Sequence, residues 1–142
     1  MKRIPSSLII SSGVIIISHD KKILLIKPKG LAKGHFSLPK GMRNENECIK
    51  KTALRETFEE VGIELCLEDL GKQYVINYFN KNVLTKRVFC YLVKLTFEKE
   101  KKINLVLQKE EVDSCSFYEK EDALELVFWR FKELLKLDEI WS

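Results

Sequence analysis

The sequence lacks a long apolar run. The apolar stretch at residues 8–18 is interrupted by two serines and Gly13, and it falls short of the roughly 18 residues that a membrane-spanning helix needs. Because Lys2 and Arg3 precede this stretch, a signal peptide is the competing interpretation. No small-residue cleavage site follows it, and its β-branched residues favour a strand. We therefore expect a soluble, cytoplasmic protein that does not enter a membrane.

The sequence also lacks the cysteine and histidine patterns of a zinc site. None of the four cysteines is paired at CxxC spacing, and no histidine lies near them. These patterns are the ones that hold structural zinc. We expect reduced, mostly buried thiols of a cytoplasmic protein at Cys48, Cys66, Cys90 and Cys115.

Strong charge of one sign is absent too. The net charge of +4 is mild and does not by itself indicate a nucleic-acid binder. Its distribution is more informative, because lysines crowd residues 21–40 and carboxylates crowd residues 45–69. A basic rim beside an acidic cluster suits a polyanion that is held through a metal ion. Solvated surface charge is the alternative for most of these lysines, so Lys27, Lys29 and Lys33 are secondary candidates for phosphate binding.

The length of 142 residues fits one domain, 1–142, with a single core. Runs of β-branched residues predict strands, and apolar–charged alternation near the C-terminus predicts one broken helix or two short ones. The predicted strands are 8–17, 23–26, 72–79, 86–96 and 112–118, with an extended piece at 36–38, a charged loop or turn at 98–102 and C-terminal helices within 121–137. This order predicts a mixed sheet flanked by helices, an α/β (α+β) architecture.

The clearest helix signal lies between these strands. Asn44 and Glu47 have the spacing of a capping box, and Gly62 is a typical C-terminal stop. Apolar or small residues recur at intervals of four, which is the period of one helix face, at Ile49, Ala53, Thr57 and Val61.

Three carboxylates in this helix, Glu56, Glu59 and Glu60, lie at positions i, i+3 and i+4. They share one helical face, where like charges repel by a few tenths of a kcal/mol per pair. A hard divalent cation gives a reason to gather them, since Mg²⁺ prefers oxygen ligands. A solvated acidic face is the alternative, and it would be favoured for an isolated ExxEE.

The surroundings reverse that preference. Residues 41–63 read GMRNENECIKKTALRETFEEVGI, and their glycines, acids and Arg55 have the full spacing of the Nudix box. The chain therefore resembles the Nudix hydrolase (MutT-like) family. The one departure is Thr57, where the family usually has a bulky aliphatic residue; it leaves the acids intact and affects only packing. The resemblance implies the Nudix fold, an α/β/α sandwich with a central mixed sheet, and hydrolysis of phosphoanhydride bonds in nucleoside diphosphate-linked compounds.

The resemblance also implies roles for the matching residues. The ligands of Mg²⁺, for which Mn²⁺ can substitute, would be Glu56, Glu59 and Glu60. Arg55 would hold carboxylates in place through charge-assisted hydrogen bonds. Glu47 would support the loop–helix junction or contact the metal indirectly, and Gly41 would let the loop turn and the metal approach the backbone. Glu56 is the first candidate for the general base, and Glu111 is its rival.

Beyond the box, residues 34–41 (GHFSLPKG) resemble the segment that precedes the box in asymmetrical diadenosine tetraphosphate hydrolases. Tyr78, Lys86 and Tyr91 resemble a tyrosine and a K-x-V-x-x-Y strand of that branch, and Glu111 matches its acid outside the box. Glu110 is the alternative to Glu111 by a slip of one residue, and Tyr91 is also interpreted as a core residue.

The resemblance to this branch implies binding roles. Lys40 and Lys86 can meet a phosphate chain, and Tyr78 can stack on a base, which is worth about 1–3 kcal/mol. His35 is either a substrate-binding residue or a loop residue without a chemical role.

The function implied is hydrolysis of dinucleoside polyphosphates such as diadenosine tetraphosphate. A nucleoside triphosphate pyrophosphatase, an RNA 5′-pyrophosphohydrolase acting on an RNA 5′ end, and a non-catalytic nucleotide sensor are the alternatives. ADP-ribose enzymes of this family tend to carry a proline soon after the box. This chain has no proline beyond Pro39, which argues against that activity. We expect the protein to be a monomer or a homodimer.

Overall fold

The computed structural model describes residues 7–31 and 34–142. The strands are β1 (Ile9–Ile17), β2 (Ile23–Pro28), β3 (Lys40–Met42), β4 (Gln73–Asn80), β5 (Val83–Lys94) and β6 (Val112–Tyr118). The helices are α1 (Ile49–Val61), α2 (Phe97–Lys101), α3 (Lys120–Leu126), α4 (Lys132–Leu135) and α5 (Asp138–Trp141), with 3₁₀ turns at Leu67–Asp69 and Trp129–Phe131. Within these described ranges, no helix is long and apolar enough to cross a membrane.

The six strands form one mixed sheet in the order β4-β5-β1-β2-β6, and β3 pairs with β1. The β1–β5 pair is parallel, whereas the remaining pairs are antiparallel. Gly13 allows β3 to lie against β1, since a Cβ at this position would be 2.1 Å from the carbonyl oxygen of Pro39. The pairing of β3 with β1 therefore places the segment Lys40–Met42 next to α1.

The core has two layers, one on each face of the sheet. Val14 and Ile16 of β1 pack in one cluster with Ala53 and Val61 of α1. The alternate β1 side chains, such as Ile15, pack in a second cluster with residues of α3, α4 and α5. Both faces of β1 are buried, which explains its continuous apolar sequence. The predicted α/β/α sandwich is confirmed.

Helix α1 has the predicted face and C-terminus but a different start. Ala53, Thr57 and Val61 are buried, and Gly62 ends the helix with a left-handed φ of 77°. The helix begins at Ile49 instead of after Asn44. The prediction from the capping-box spacing was wrong because residues 44–47 form a separate turn.

Two smaller predictions also need correction. The segment predicted as a charged loop or turn, 98–102, lies mostly in helix α2. The N-cap of this helix, Thr96, accepts a hydrogen bond from the backbone N–H of Lys99. The thiols are free but not mostly buried, since Cys48 and Cys66 are exposed. Both differences lie in short polar segments, where apolar periodicity carries little information.

Candidate active site

The carboxylate of Glu56 packs against the backbone of β3. A Cβ placed on Gly41 would be 2.1 Å from a carboxylate oxygen of Glu56, so only glycine leaves room for this arrangement. The β3–β1 pairing fixes Gly41 from one side, and the buried face of α1 fixes Glu56 from the other. Gly41, the first residue of the sequence motif, and Glu56, its sixteenth, are thereby brought together in space.

Arg55 connects the other acids of the motif. Its guanidinium donates to both oxygens of Glu47 at 2.8 and 2.9 Å, and to Glu56 at 2.8 Å. It also donates to Glu59 at 3.2 Å and to the carbonyl of Met42 at 2.9 Å. The hydrogen bonds from Arg55 lower the pKa of Glu47 to about 2. Arg55 therefore holds the loop before α1 and the acidic face of α1 together.

Glu60 is the most enclosed of the three predicted ligands. One of its oxygens accepts a 2.8 Å hydrogen bond from the backbone N–H of Lys40. Burial raises the pKa of Glu60 to about 8, and the negative charges of Glu56 and Glu111 act in the same direction. Burial also raises the pKa of Glu56, although Arg55 opposes that shift.

Arg55 cannot neutralise all the acids of this cluster when they are ionised. Glu56, Glu59 and Glu60 offer only oxygen donors, the ligand type that Mg²⁺ prefers. Burial is the main cause of the raised pKa values of Glu56 and Glu60, and neighbouring negative charges add to it. A bound divalent cation would remove that electrostatic cost, so the donor set fits the ion.

A cavity of about 380 Å³ opens beside Glu60. It brings together side chains from β2, β3, α1, β4, β5 and the C-terminal segment. Its polar walls come from His35, Ser37, Lys40, Glu60, Tyr78, Lys86 and Glu111, and its apolar walls from Ile26, Pro28, Leu31, Leu38, Phe128 and Phe131. Of the predicted substrate residues, Lys40, Tyr78, Lys86 and His35 all line it.

Two lysines face each other in this cavity. Burial and the neighbouring Lys40 lower the pKa of Lys86 to about 8. Among residues 7–31 and 34–142, no carboxylate lies within salt-bridge distance of either ammonium group. Glu60 attracts Lys40 electrostatically, but two like charges without a salt-bridge partner are suited to an anionic ligand.

Aromatic side chains form part of the cavity wall. Burial raises the pKa of the Tyr78 hydroxyl to about 12. The ring of Phe128 lies 6.3 Å from that of Tyr78 and 6.5 Å from that of His35, centroid to centroid. Sequence reasoning missed Phe128 and Phe131, because nothing in the helical pattern of 121–137 distinguishes a cavity wall from a core position.

The structure also separates several alternatives. Glu111 lines the cavity, and Glu110 does not. Tyr91 is a core residue, only 2% exposed, and its hydroxyl accepts a hydrogen bond from Gln73. The ammonium group of Lys29 donates to the carbonyl of Lys109. Lys27 and Lys29 lie outside the cavity lining, and Lys33 lies outside the described residues.

A second group of polar side chains, His19, Asp20 and Glu100, brings one ligand-type atom of each residue within 4.8 Å of the others. His19 Nδ1 lies 2.9 Å from Glu100, and Asp20 accepts a hydrogen bond from Ser18. This group, in which His19 and Asp20 are exposed and Glu100 is half-buried, belongs to the β1–β2 turn and α2 and does not line the cavity. The polar atoms of its members already contact neighbouring side chains.

Comparisons with known proteins agree with the fold and the motif. A family profile described as NUDIX domain matches residues 8–137. The fold is similar to that of an Ap4A hydrolase from C. elegans, with a TM-score of 0.70 and 24% identity over 90% of this chain and 93% of that one. It is also similar to a MutT protein from Methanosarcina mazei Go1, with a TM-score of 0.72 and 21% identity over 94% of each chain.

Curated relatives match a shorter segment. RxLR effector protein CRE5 from Phytophthora infestans (strain T30-4) is 46% identical over 57 residues, which is 38% of this chain and 22% of that protein. A second RxLR effector protein from the same organism is 43% identical over 60 residues, again 22% of its length. The chain thus spans about a fifth of the curated relatives that it matches.

The mixed sheet, the flanking helices and the acidic helix face define a Nudix fold. Because the family profile covers 8–137 of the 142 residues, the chain belongs to the Nudix family.

Proposed function

We propose that this chain is a Mg²⁺-dependent hydrolase of phosphoanhydride bonds. We further propose that its substrates are dinucleoside polyphosphates such as diadenosine tetraphosphate, which it cleaves to a nucleoside triphosphate and a monophosphate. The observation that carries this proposal is that one cavity contains the half-buried acid Glu60 and two lysines, Lys40 and Lys86, that form no salt bridge among the described residues. A metal-bound polyphosphate would satisfy both the acids and the lysines.

The metal would be held by Glu56, Glu59 and Glu60, with support from Glu111, while Gly41 leaves the backbone of β3 open to close approach. When bound, Mg²⁺ supplies neutralisation of phosphate oxygens and a lowered pKa for water. Mn²⁺ offers the same preference for oxygen ligands. Arg55 keeps the acids in place through its hydrogen bonds to Glu56 and Glu59.

The chain's own residues account for the remaining steps. Lys40 and Lys86 neutralise phosphate oxygens and hold the chain along the cavity. Tyr78, whose ring lies next to the cations of Lys86 and Arg130, would stack on a base, a contact worth about 1–3 kcal/mol. Water attacks one phosphorus as the phosphoanhydride bond to the leaving phosphate chain breaks, and the proton of the water passes to a carboxylate oxygen of either Glu56 or Glu111. Glu111 is exposed on the cavity wall, whereas one oxygen of Glu56 is held by Arg55.

The test is a substrate panel with Mg²⁺ and identified products. It comprises diadenosine tetraphosphate, dGTP, oxidised dGTP, ADP-ribose and 5′-triphosphate RNA. We expect the highest kcat/KM for diadenosine tetraphosphate, with ATP and AMP as products. A preference for a mononucleotide or for RNA would contradict the substrate proposal, and no turnover of any compound with Mg²⁺ or Mn²⁺ would contradict the activity.

The proton acceptor is tested by Glu56→Gln and Glu111→Gln, with Glu110→Gln as the matched control for position 111. The variant that lacks the proton acceptor should lose the rise of kcat with increasing pH, which the control keeps. If both variants keep the wild-type pH profile, neither acid is the base.

A further inference from the structure

A row of aromatic rings leads from the cavity to the surface. His35 and Phe128 line the cavity with nearly parallel rings, 22° apart. The ring of Trp129 follows at 5.8 Å from that of Phe128, centroid to centroid. Trp129 is 60% exposed, so the row ends in an indole that is largely open to solvent.

Arg130 contacts this indole. Its guanidinium carbon lies 4.3 Å from the ring centroid of Trp129 and 4.4 Å from that of Tyr78. Contacts at this distance are favourable cation–π interactions. The guanidinium covers one face of the indole, and within the described part of the chain no carboxylate is in salt-bridge distance of it. An exposed aromatic surface and a positive charge therefore lie together beside Tyr78 and Phe128 of the cavity wall.

We propose that Trp129 is a second base-binding site, which stacks on the distal base of a dinucleoside polyphosphate while the first nucleoside occupies the cavity. This inference rests on the proposed function and narrows it to substrates with two bases. Arg130 positions the indole and adds positive charge near the phosphate chain. An aromatic ring accepts any base through its π face, so the site selects for the presence of a second base more than for its identity.

Kinetics with two substrates of equal phosphate length test this site. Diadenosine tetraphosphate has two bases, and adenosine 5′-tetraphosphate has one. We expect Trp129→Ala to raise KM about tenfold for the first compound and to leave KM for the second unchanged. Trp129→Phe should restore most of the loss, and Phe79→Ala, which removes another exposed aromatic outside the cavity lining, should change neither. Equal effects on both substrates, or none, would overturn the proposal.

A binding measurement does not depend on turnover. The chain has two tryptophans, so a Trp141→Phe background leaves Trp129 as the fluorescent one. A methylene-bridged analogue of diadenosine tetraphosphate should quench its fluorescence, whereas adenosine 5′-tetraphosphate should not. Equal quenching, or none, overturns the second site.

The two proposals can fail separately. Absence of turnover together with quenching by the dinucleoside alone would remove the proposed function and keep the binding site. A larger effect of Trp129→Ala on a 5′-triphosphorylated dinucleotide than on diadenosine tetraphosphate would overturn the assignment to dinucleoside polyphosphates in favour of an RNA end.

Discussion

Gly62 and Val106 are in such close contact that a Cβ on the glycine would lie 2.8 Å from the Cβ of Val106. The backbone N–H of Val106 donates to the carbonyl of Val61 at 2.9 Å, and that of Gln108 donates to the carbonyl of Glu60 at 3.0 Å. The N–H of Glu111 in turn donates to the carbonyl of Gln108. The end of α1 therefore positions the segment that carries Glu111.

Gly62→Ala should have two effects. The new Cβ would collide with Val106, and alanine would be strained at the left-handed φ of 77°. We expect it to destabilise the protein by about 1–3 kcal/mol and to lower kcat, because Glu111 is displaced. Urea unfolding and kinetics measure both effects. Gly30→Ala is the matched control, since Gly30 has a φ of 76° with nothing near its Cβ position. If both variants lose the same stability, the contact with Val106 contributes nothing.

Gly41→Ala tests the packing of Glu56 against β3. The added methyl group would occupy the position of the Glu56 carboxylate, so the acid must turn away. We expect divalent-metal affinity and turnover to fall together, while the adjacent Met42→Ala, which shortens an exposed side chain, leaves both unchanged. Normal metal affinity in Gly41→Ala would show that Glu56 need not stay beside Gly41.

The pairing of Glu47 with Arg55 predicts a specific acid sensitivity. The pKa of Glu47 is lowered from 4.5 to about 2, so the folded state favours its charged form. A depressed pKa gives stability that is present above pH 4.5 and is lost as pH falls towards 2. The difference in free energy of unfolding between wild type and Glu47→Gln should be largest near pH 6 and should shrink across that window. A difference that does not change with pH would contradict the ion pair.

Thr57 and Thr52 are both buried threonines of α1, but their hydroxyls have different partners. Thr57 donates to the carbonyl of Ala53, a bond along its own helix. Thr52 donates to the carboxylate of Glu47 at 2.7 Å. Thr57→Val should change stability by less than about 1 kcal/mol, and Thr52→Val should cost about 1.5–3 kcal/mol. Denaturant unfolding of the pair decides this, and equal losses would argue against the assignment.

Much of this architecture could be predicted from local patterns. The spacing of Ala53, Thr57 and Val61 marks the buried face of α1, and β-branched runs mark the strands. The start of α1 could not be predicted, because Glu47 binds Arg55 and Thr52 as well as the backbone of Asn44. These contacts of Glu47 with side chains of α1 accompany a separate turn at residues 44–47, which precedes the helix.

Part of the site could likewise be predicted from the sequence, and part could not. The acids of one helix have a fixed sequence spacing, and that spacing predicts a shared face. Phe128 and Arg130 contact Tyr78 across about 50 positions of sequence, and no local pattern encodes such a contact. Helix α2 was missed because five residues provide little periodicity.

Glu60 connects stability, pH and metal binding. Its pKa is raised from 4.5 to about 8, so in metal-free protein its contribution to stability is present below pH 4.5 and is lost as pH rises through 8. Glu60→Gln keeps an oxygen for the N–H of Lys40 without the charge. At pH 8 and without metal, this variant should therefore be more stable than wild type.

The most direct measurement is calorimetric titration of Mg²⁺ into wild type, Glu60→Gln and the exposed control Glu64→Gln, followed by turnover of diadenosine tetraphosphate. Loss of outer partners of a metal already costs about 10–100-fold, so loss of this carboxylate should weaken binding and lower kcat at least about a hundredfold, while Glu64→Gln behaves as wild type. Wild-type Mg²⁺ affinity and near-normal turnover in Glu60→Gln would contradict the account.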